Sequence, residues 1–166
     1  WRHQLGIIYN TAKIPNPPKT WQEYVERRAE WAGHIGMVRP DAGPPPGRYM
    51  LYDFLRGFGV DENLPLAELQ ATPEYKNAIE TFKTFSESFY KPAFNAPPLM
   101  FAKYGTGDVW IGELPIDFAL WSRDQGLLPE TVHATFFPTP LVNGACWTTV
   151  PANVSKDQQQ SAFALI

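Results

Sequence analysis

Seventeen prolines and twelve glycines are spread along this chain, and they cut it into short segments before any other property is considered. Each proline fixes its own φ, removes a backbone donor and pushes the residue before it out of the helical region. Ile14-Pro15-Asn16-Pro17-Pro18-Lys19 is therefore an extended connector, and Pro40-Asp41-Ala42-Gly43-Pro44-Pro45-Pro46-Gly47 is a loop. Between these breaks lie apolar runs of strand length. Leu5–Asn10 reads as a buried strand, Ile35–Arg39 as a second, Gly107–Glu113 as a third that enters a turn, and His133–Pro138 and Ala145–Val150 as two more.

Helices fill the intervals, and their starts are written in capping chemistry. Thr20-Trp21-Gln22-Glu23 fits a capping box, and a helix follows to about Ala32 with Trp21, Tyr24, Val25, the Arg28 stem, Ala29 and Ala32 on one face. A second helix runs from Arg48 to Arg56 and stops at Gly57 or Gly59. After a polar turn region, Thr72-Pro73 supplies an N-cap followed by a proline whose missing amide is no loss, and Tyr75, Ala78, Ile79, Phe82, Phe85 and Phe89 form an apolar stripe. Pro115 sits in the first turn of a helix carrying Ile116 to Trp121, and Ser155-Lys156-Asp157-Gln158 opens a last one. Strands alternating with helices of this length predict an α/β sheet with helices on both faces and a ligand crevice outside the carboxyl ends of the strands.

Composition narrows the function. At 166 residues, 44% hydrophobic and 14% aromatic, the chain can bury one sizeable core. A formal net charge of -3, with 14 basic residues scattered along the sequence, offers no concentrated basic surface, so nucleic acid is not an expected partner. Cys146 is alone, which excludes an intrachain disulfide and a cysteine-based metal cluster. His3, His34 and His133 lack metal-ligand spacing, and no Gly-x-Gly-x-x-Gly, Walker or Gly-x-Ser-x-Gly motif is present, so neither a metal nor a cofactor is expected. Gly144-Ala145-Cys146-Trp147 mimics a papain-like nucleophile segment, but too little chain follows for the histidine that chemistry requires.

Gly6–Trp21, a strand leading through a proline-rich step into a Thr-Trp helix start, resembles the segment by which family 1 bacterial extracellular solute-binding proteins enter their second lobe. Val150-Pro151-Ala152-Asn153-Val154-Ser155-Lys156-Asp157 is similar to the turn that follows the return crossing in that family. The resemblance implies an α/β fold: a single lobe of a type II periplasmic-binding-protein-like fold, with a mixed, mostly parallel sheet flanked by helices. It implies that residues 1–166 are the second lobe, with hinge-strand stubs near 5–10 and 144–151, and that the first lobe and signal peptide lie outside this sequence. Further implications are a small-molecule solute, the first lobe and an ABC permease as partners, a periplasmic or extracytoplasmic location, and no enzymatic activity.

Candidate solute contacts follow from helix starts and strand-to-helix turns. Arg48 and Tyr49 open a helix whose unpaired amides and positive dipole end suit an anionic or hydroxyl-bearing group, with the Arg48 guanidinium as a fork of donors. Trp110, Glu113 and Asp117 surround the next turn, which in the family resembled faces the interlobe cleft; an indole with two carboxylates suits a cation. Trp147, on the return strand, is a candidate aromatic wall. The segments Gly107–Ile111 and Gly144–Trp147 resemble the polyamine-binding branch, but Thr148 and Thr149 stand where that branch carries an acid. The solute class stays open. So do two alternatives: a cofactor-free α/β enzyme using Glu113 and Asp117 as an acid/base pair, and an effector-sensing lobe of a regulator.

Overall fold

The computed structural model describes residues 2–41, 46–138, 142–145 and 154–163. Its framework is a five-stranded sheet of β1 (Arg2–Asn10), β2 (Ile35–Gly36), β3 (Ile111–Pro115), β4 (Val132–Thr135) and β5 (Val142–Ala145). The order is β2-β3-β1-β4, with β5 also on β1. β2 and β3 are parallel, while β1 is antiparallel to β3, β4 and β5. Four strands thus share one direction and the central strand opposes them, which makes the sheet mixed. β1 changes partners along its length: Leu5–Tyr9 face β3 and Ile7–Asn10 face β4, whereas Arg2–Gln4 pair with β5.

Alternation on β1 divides the interior. Ile7 joins Ile35, Met37 and Ile111 on one face, where they meet Trp21, Tyr24, Met50, Phe54 and Phe85. Ile8 joins Leu114 and Val132 on the other, against Met100, Phe101, Tyr104, Ile116 and Ala119. The first face is covered by α1 (Trp21–Glu26), α2 (Pro46–Gly57) and α4 (Pro73–Ser86), the second by α5 (Pro97–Gly105) and α6 (Ile116–Asp124). Helices on both faces explain why the central strand is a continuous apolar run instead of an alternating one. Gly6 is required here, because a Cβ would meet the Ile116 side chain and the Thr135 carbonyl oxygen.

The capping signals place most helix starts correctly. The Glu23 amide donates to Thr20 Oγ1 at 3.1 Å and the Tyr75 amide to Thr72 Oγ1 at 3.2 Å. Before α7 (Lys156–Phe163), the Gln158 amide donates to Ser155 Oγ and the Ser155 amide donates to Gln158 Oε1. The first box differs in one detail: Glu23 accepts the amide of Lys19 instead of that of Thr20, at 2.8 Å. The helix predicted to reach Ala32 ends at Glu26 and tightens into a 3-10 turn over Arg28–Trp31. That turn brings Trp31 edge-on to Tyr24, with centroids 5.5 Å apart.

Several boundaries move for tertiary reasons. The strand read over Gly107–Glu113 occupies Ile111–Pro115. Gly107 takes φ +77 in a turn, and Asp108 accepts from Thr106 and Lys103, so the chain extends only afterwards. Pro115 closes the strand and stands before α6, with an extended ψ of 119, instead of lying in the helix's first turn. The strand read over His133–Pro138 stops at Thr135, and Phe137 turns inward to pack edge-on against Trp21 at 5.1 Å. Ile35–Arg39 is a ladder only at Ile35–Gly36; further on, Val38 makes an isolated bridge to Phe94. The strand expected over Ala145–Val150 lies outside the described residues beyond Ala145. Two helices were not anticipated: α3 (Leu66–Ala71), in the region read as a polar turn, and α5. Among the described residues no helix is long and apolar enough to cross a membrane.

Candidate functional site

Two helices begin where the parallel pair of strands ends. α2 starts beyond the carboxyl end of β2, with Gly47 seated against the carbonyl oxygens of Val38 and Arg39; a Cβ there would collide with both. α6 starts directly after β3, preceded by Pro115, which has no side chain able to cap its first amides. The first turns of α2 and α6 therefore flank the carboxyl edge of β2 and β3 from opposite faces. Open α/β sheets hold ligands outside this edge, and both helices have the positive ends of their dipoles there.

Three of the six sequence-derived candidates lie at this edge. Arg48 is exposed and Tyr49 half-buried in the first turn of α2, and Asp117 is exposed in the first turn of α6. The edge thus carries a guanidinium, a phenol and a carboxylate, donors and acceptors suited to a polar solute. Arg39, just past β2, is held by Asp41 through paired contacts of 3.0 and 2.5 Å. Trp147 lies outside the described residues.

Glu113 and Trp110 are placed elsewhere. Glu113 is on β3 opposite Ile7, only 3% exposed, on the sheet face that packs against α1 and α2. The carboxyl that faces it belongs to Asp53 of α2, itself 4% exposed, and not to Asp117 on the surface. Trp21 Nε1 donates to Asp53 Oδ2 at 3.1 Å. Neither oxygen of Glu113 has a hydrogen-bond partner among the described residues. Burial, reinforced by Asp53, pushes the Glu113 pKa well above the usual carboxylate range. Asp53 could have been found in the sequence: it interrupts an otherwise apolar helical face formed by Met50, Phe54 and their neighbours.

Trp110 precedes β3, and its amide donates to the carbonyl of His34, which precedes β2. It therefore lies at the amino edge, five residues and about 16 Å along an extended chain from Pro115. There the indole stacks on His34 with centroids 3.6 Å apart and planes within 3°, and its Nε1 donates to the Gly107 carbonyl. His34 Nδ1 sits 2.8 Å from the Asp108 carbonyl oxygen, and Lys13 Nζ lies 5.6 Å from the Trp110 ring centroid. These contacts lock the amino edge of the sheet. Among the described residues no group of three or more His, Cys, Asp or Glu side chains is disposed to hold a metal ion.

The chain is thus an α/β sheet with helices on both faces and with polar side chains of two helix starts at its carboxyl edge. The model of the bacterial extracellular solute-binding protein family matches residues 3–166, and the chain belongs to that family. The fold is shared with solved structures of low sequence identity. The maltose/maltodextrin-binding domain MalE from Bdellovibrio bacteriovorus, bound to maltotriose, superposes with a TM-score of 0.69 at 17% identity, over 99% of this chain and 46% of that one. The spermidine/putrescine ABC transporter substrate-binding protein PotD from Streptococcus pneumoniae gives 0.65 at 17% identity, over 98% and 45%. The periplasmic binding protein AfuA from Actinobacillus pleuropneumoniae, with fructose-6-phosphate bound, gives 0.60 at 14% identity, over 100% and 48%. The chain spans less than half the length of each of these structures. No curated protein sequence matches it.

Proposed function

We propose that this chain forms the second lobe of a two-lobe extracytoplasmic solute-binding protein, which captures a small polar solute and delivers it to an ABC permease. The observation that carries the reading is the family match along residues 3–166 of a fold that spans under half of the solved relatives. The pairing of β1 residues Arg2–Gln4 with β5, separate from the β3 and β4 ladders, supports a two-stranded hinge leaving the sheet there. In this reading Arg48, Tyr49 and Asp117 contact the solute from the carboxyl edge. Glu113 supports that edge from beneath α2 and Trp110 holds the opposite, amino edge, and neither touches the solute.

Native mass spectrometry of the full-length protein, searching for a solute carried through purification, tests the reading directly. Once the solute is known, Arg48→Ala and Asp117→Asn should each weaken capture roughly tenfold to a hundredfold, as loss of a charge-assisted hydrogen bond does. Unchanged affinity in both variants would remove the carboxyl edge from the site.

A further inference from the structure

Among the described residues four polar or charged side chains are buried, Asn10, Asp53, Glu113 and Ser122, and the two acids face one another where α2 packs on β3. Two ionised carboxylates in that position would repel each other in a medium that hydrates neither. Asp53 receives the Trp21 indole N–H, whereas the oxygens of Glu113 and the buried hydroxyl of Tyr24 receive nothing from the described residues. A single proton between the carboxyls resolves this, because a protonated Glu113 is neutral and becomes a donor toward Asp53.

We propose that Glu113 and Asp53 share one proton across the α2–β3 contact, and that this O–H···O bond positions the first turn of α2 at the carboxyl edge. Its role in solute capture rests on the reading above of Arg48 and Tyr49; the shared proton does not. Among the described residues the titratable groups recorded around Glu113 are few. Asp53 faces it from α2, and Tyr24 lies near it on α1. Tyr104 of α5 acts on Tyr24, and β1 presents Ile7 opposite Glu113. Burial raises both tyrosines well above their usual range, so neither ionises where a carboxyl does. Of the arginines of α2, Arg48 is exposed in the first turn, and Arg56 lies 3.6 Å from Glu62 near the other end.

The sign of the pH dependence follows. The folded protein keeps a proton on Glu113 that the unfolded chain releases near the ordinary carboxylate pKa. The contribution is fully present below that value and is lost as pH rises toward the higher folded pKa. Over that window the folded-to-unfolded ratio falls by up to about tenfold per pH unit for this one proton. Glu113→Gln donates a similar hydrogen bond without titrating, so the slope should flatten.

The experiment compares the full-length protein with its Glu113→Gln and Asp53→Asn variants in three readouts. Urea unfolding across neutral pH should lose its alkaline decline in Glu113→Gln. Infrared spectra of the wild type at neutral pH should contain a buried protonated-carboxyl band that Glu113→Gln lacks, and in Asp53→Asn the band should disappear at lower pH than in the wild type. Hydrogen exchange of the hydrogen-bonded α2 amides that follow its first turn, corrected for intrinsic pH dependence, should accelerate with pH in the wild type and not in Glu113→Gln. A wild-type spectrum without the band, or an unchanged slope in Glu113→Gln, would overturn the shared proton. Exchange at α2 that ignores pH would overturn the positioning role. None of the readouts needs the solute, so failure of the capture reading leaves them interpretable, and the wild-type and Asp53→Asn spectra decide the matter even if Glu113→Gln does not fold.

Discussion

Replacing Trp21 by Phe isolates the polar part of the aromatic cluster over β1 and β3. The Trp21 ring stacks on Tyr24 at 5.8 Å and meets Phe54 and Phe137 edge-on at 5.3 and 5.1 Å, while Nε1 donates to Asp53 at 3.1 Å. Phenylalanine keeps much of the ring packing and deletes the donor. Loss of a hydrogen bond to a carboxyl, with the acceptor left buried, costs about 1.5–3 kcal/mol. The smaller ring leaves a void adding on the order of 1 kcal/mol. The expected loss is thus about 2.5–4 kcal/mol, a large share of the ~5–15 kcal/mol that holds a typical domain folded. Urea unfolding at constant m measures it. The double variant with Asp53→Asn separates the two terms, since a real bond leaves a coupling of about 0.5–3 kcal/mol between the positions. Additive effects, or a Trp21→Phe loss under about 0.5 kcal/mol, within the range of an ordinary surface change, would refute the assignment of that hydrogen bond.

Two further substitutions test the framework. Gly6→Ala forces a methyl group against Ile116 and the Thr135 carbonyl; overpacking of this kind costs about 1–3 kcal/mol, read as a lowered urea midpoint. Thr20→Ala removes the acceptor for the Glu23 amide and should lower stability by ~1 kcal/mol in the same assay, the usual worth of an N-cap.

Much of the fold is legible in the sequence because it is set by local chemistry. A threonine or serine before an apolar stripe caps a helix whatever surrounds it, as at Thr20, Thr72 and Ser155. The connector over Ile14–Lys19 separates β1 from α1 as expected, whereas Pro46 and Gly47, read as the end of a loop, form the first residues of α2 because proline is tolerated in a helix's first turn. Boundaries fare worse where a distant partner decides them. Phe137 looks like a strand residue, yet it leaves β4 because Trp21, more than a hundred residues earlier, offers it a buried edge. α5 escapes notice because its start, Ala96-Pro97-Pro98, has no side-chain cap and its helical stripe of Met100, Phe101 and Tyr104 is short.

The candidate site shows the same division. The exposed helix-start positions of Arg48 and Asp117 are recoverable from sequence because a helix start is a local feature and its exposed first turn a direct consequence. The environments of Glu113 and Trp110 are not. Both lie close in sequence to the turn that suggested them, but strand alternation sends Glu113 inward toward Asp53 and the parallel register with β2 carries Trp110 to the opposite edge. From the sequence alone follow the alternation of short strands and helices, the caps and the family. Which carboxylate meets water and which meets another carboxylate was decided only by the packing of α2 on β3, because burial and the proximity of like charges exist only once residues distant in the chain are brought together.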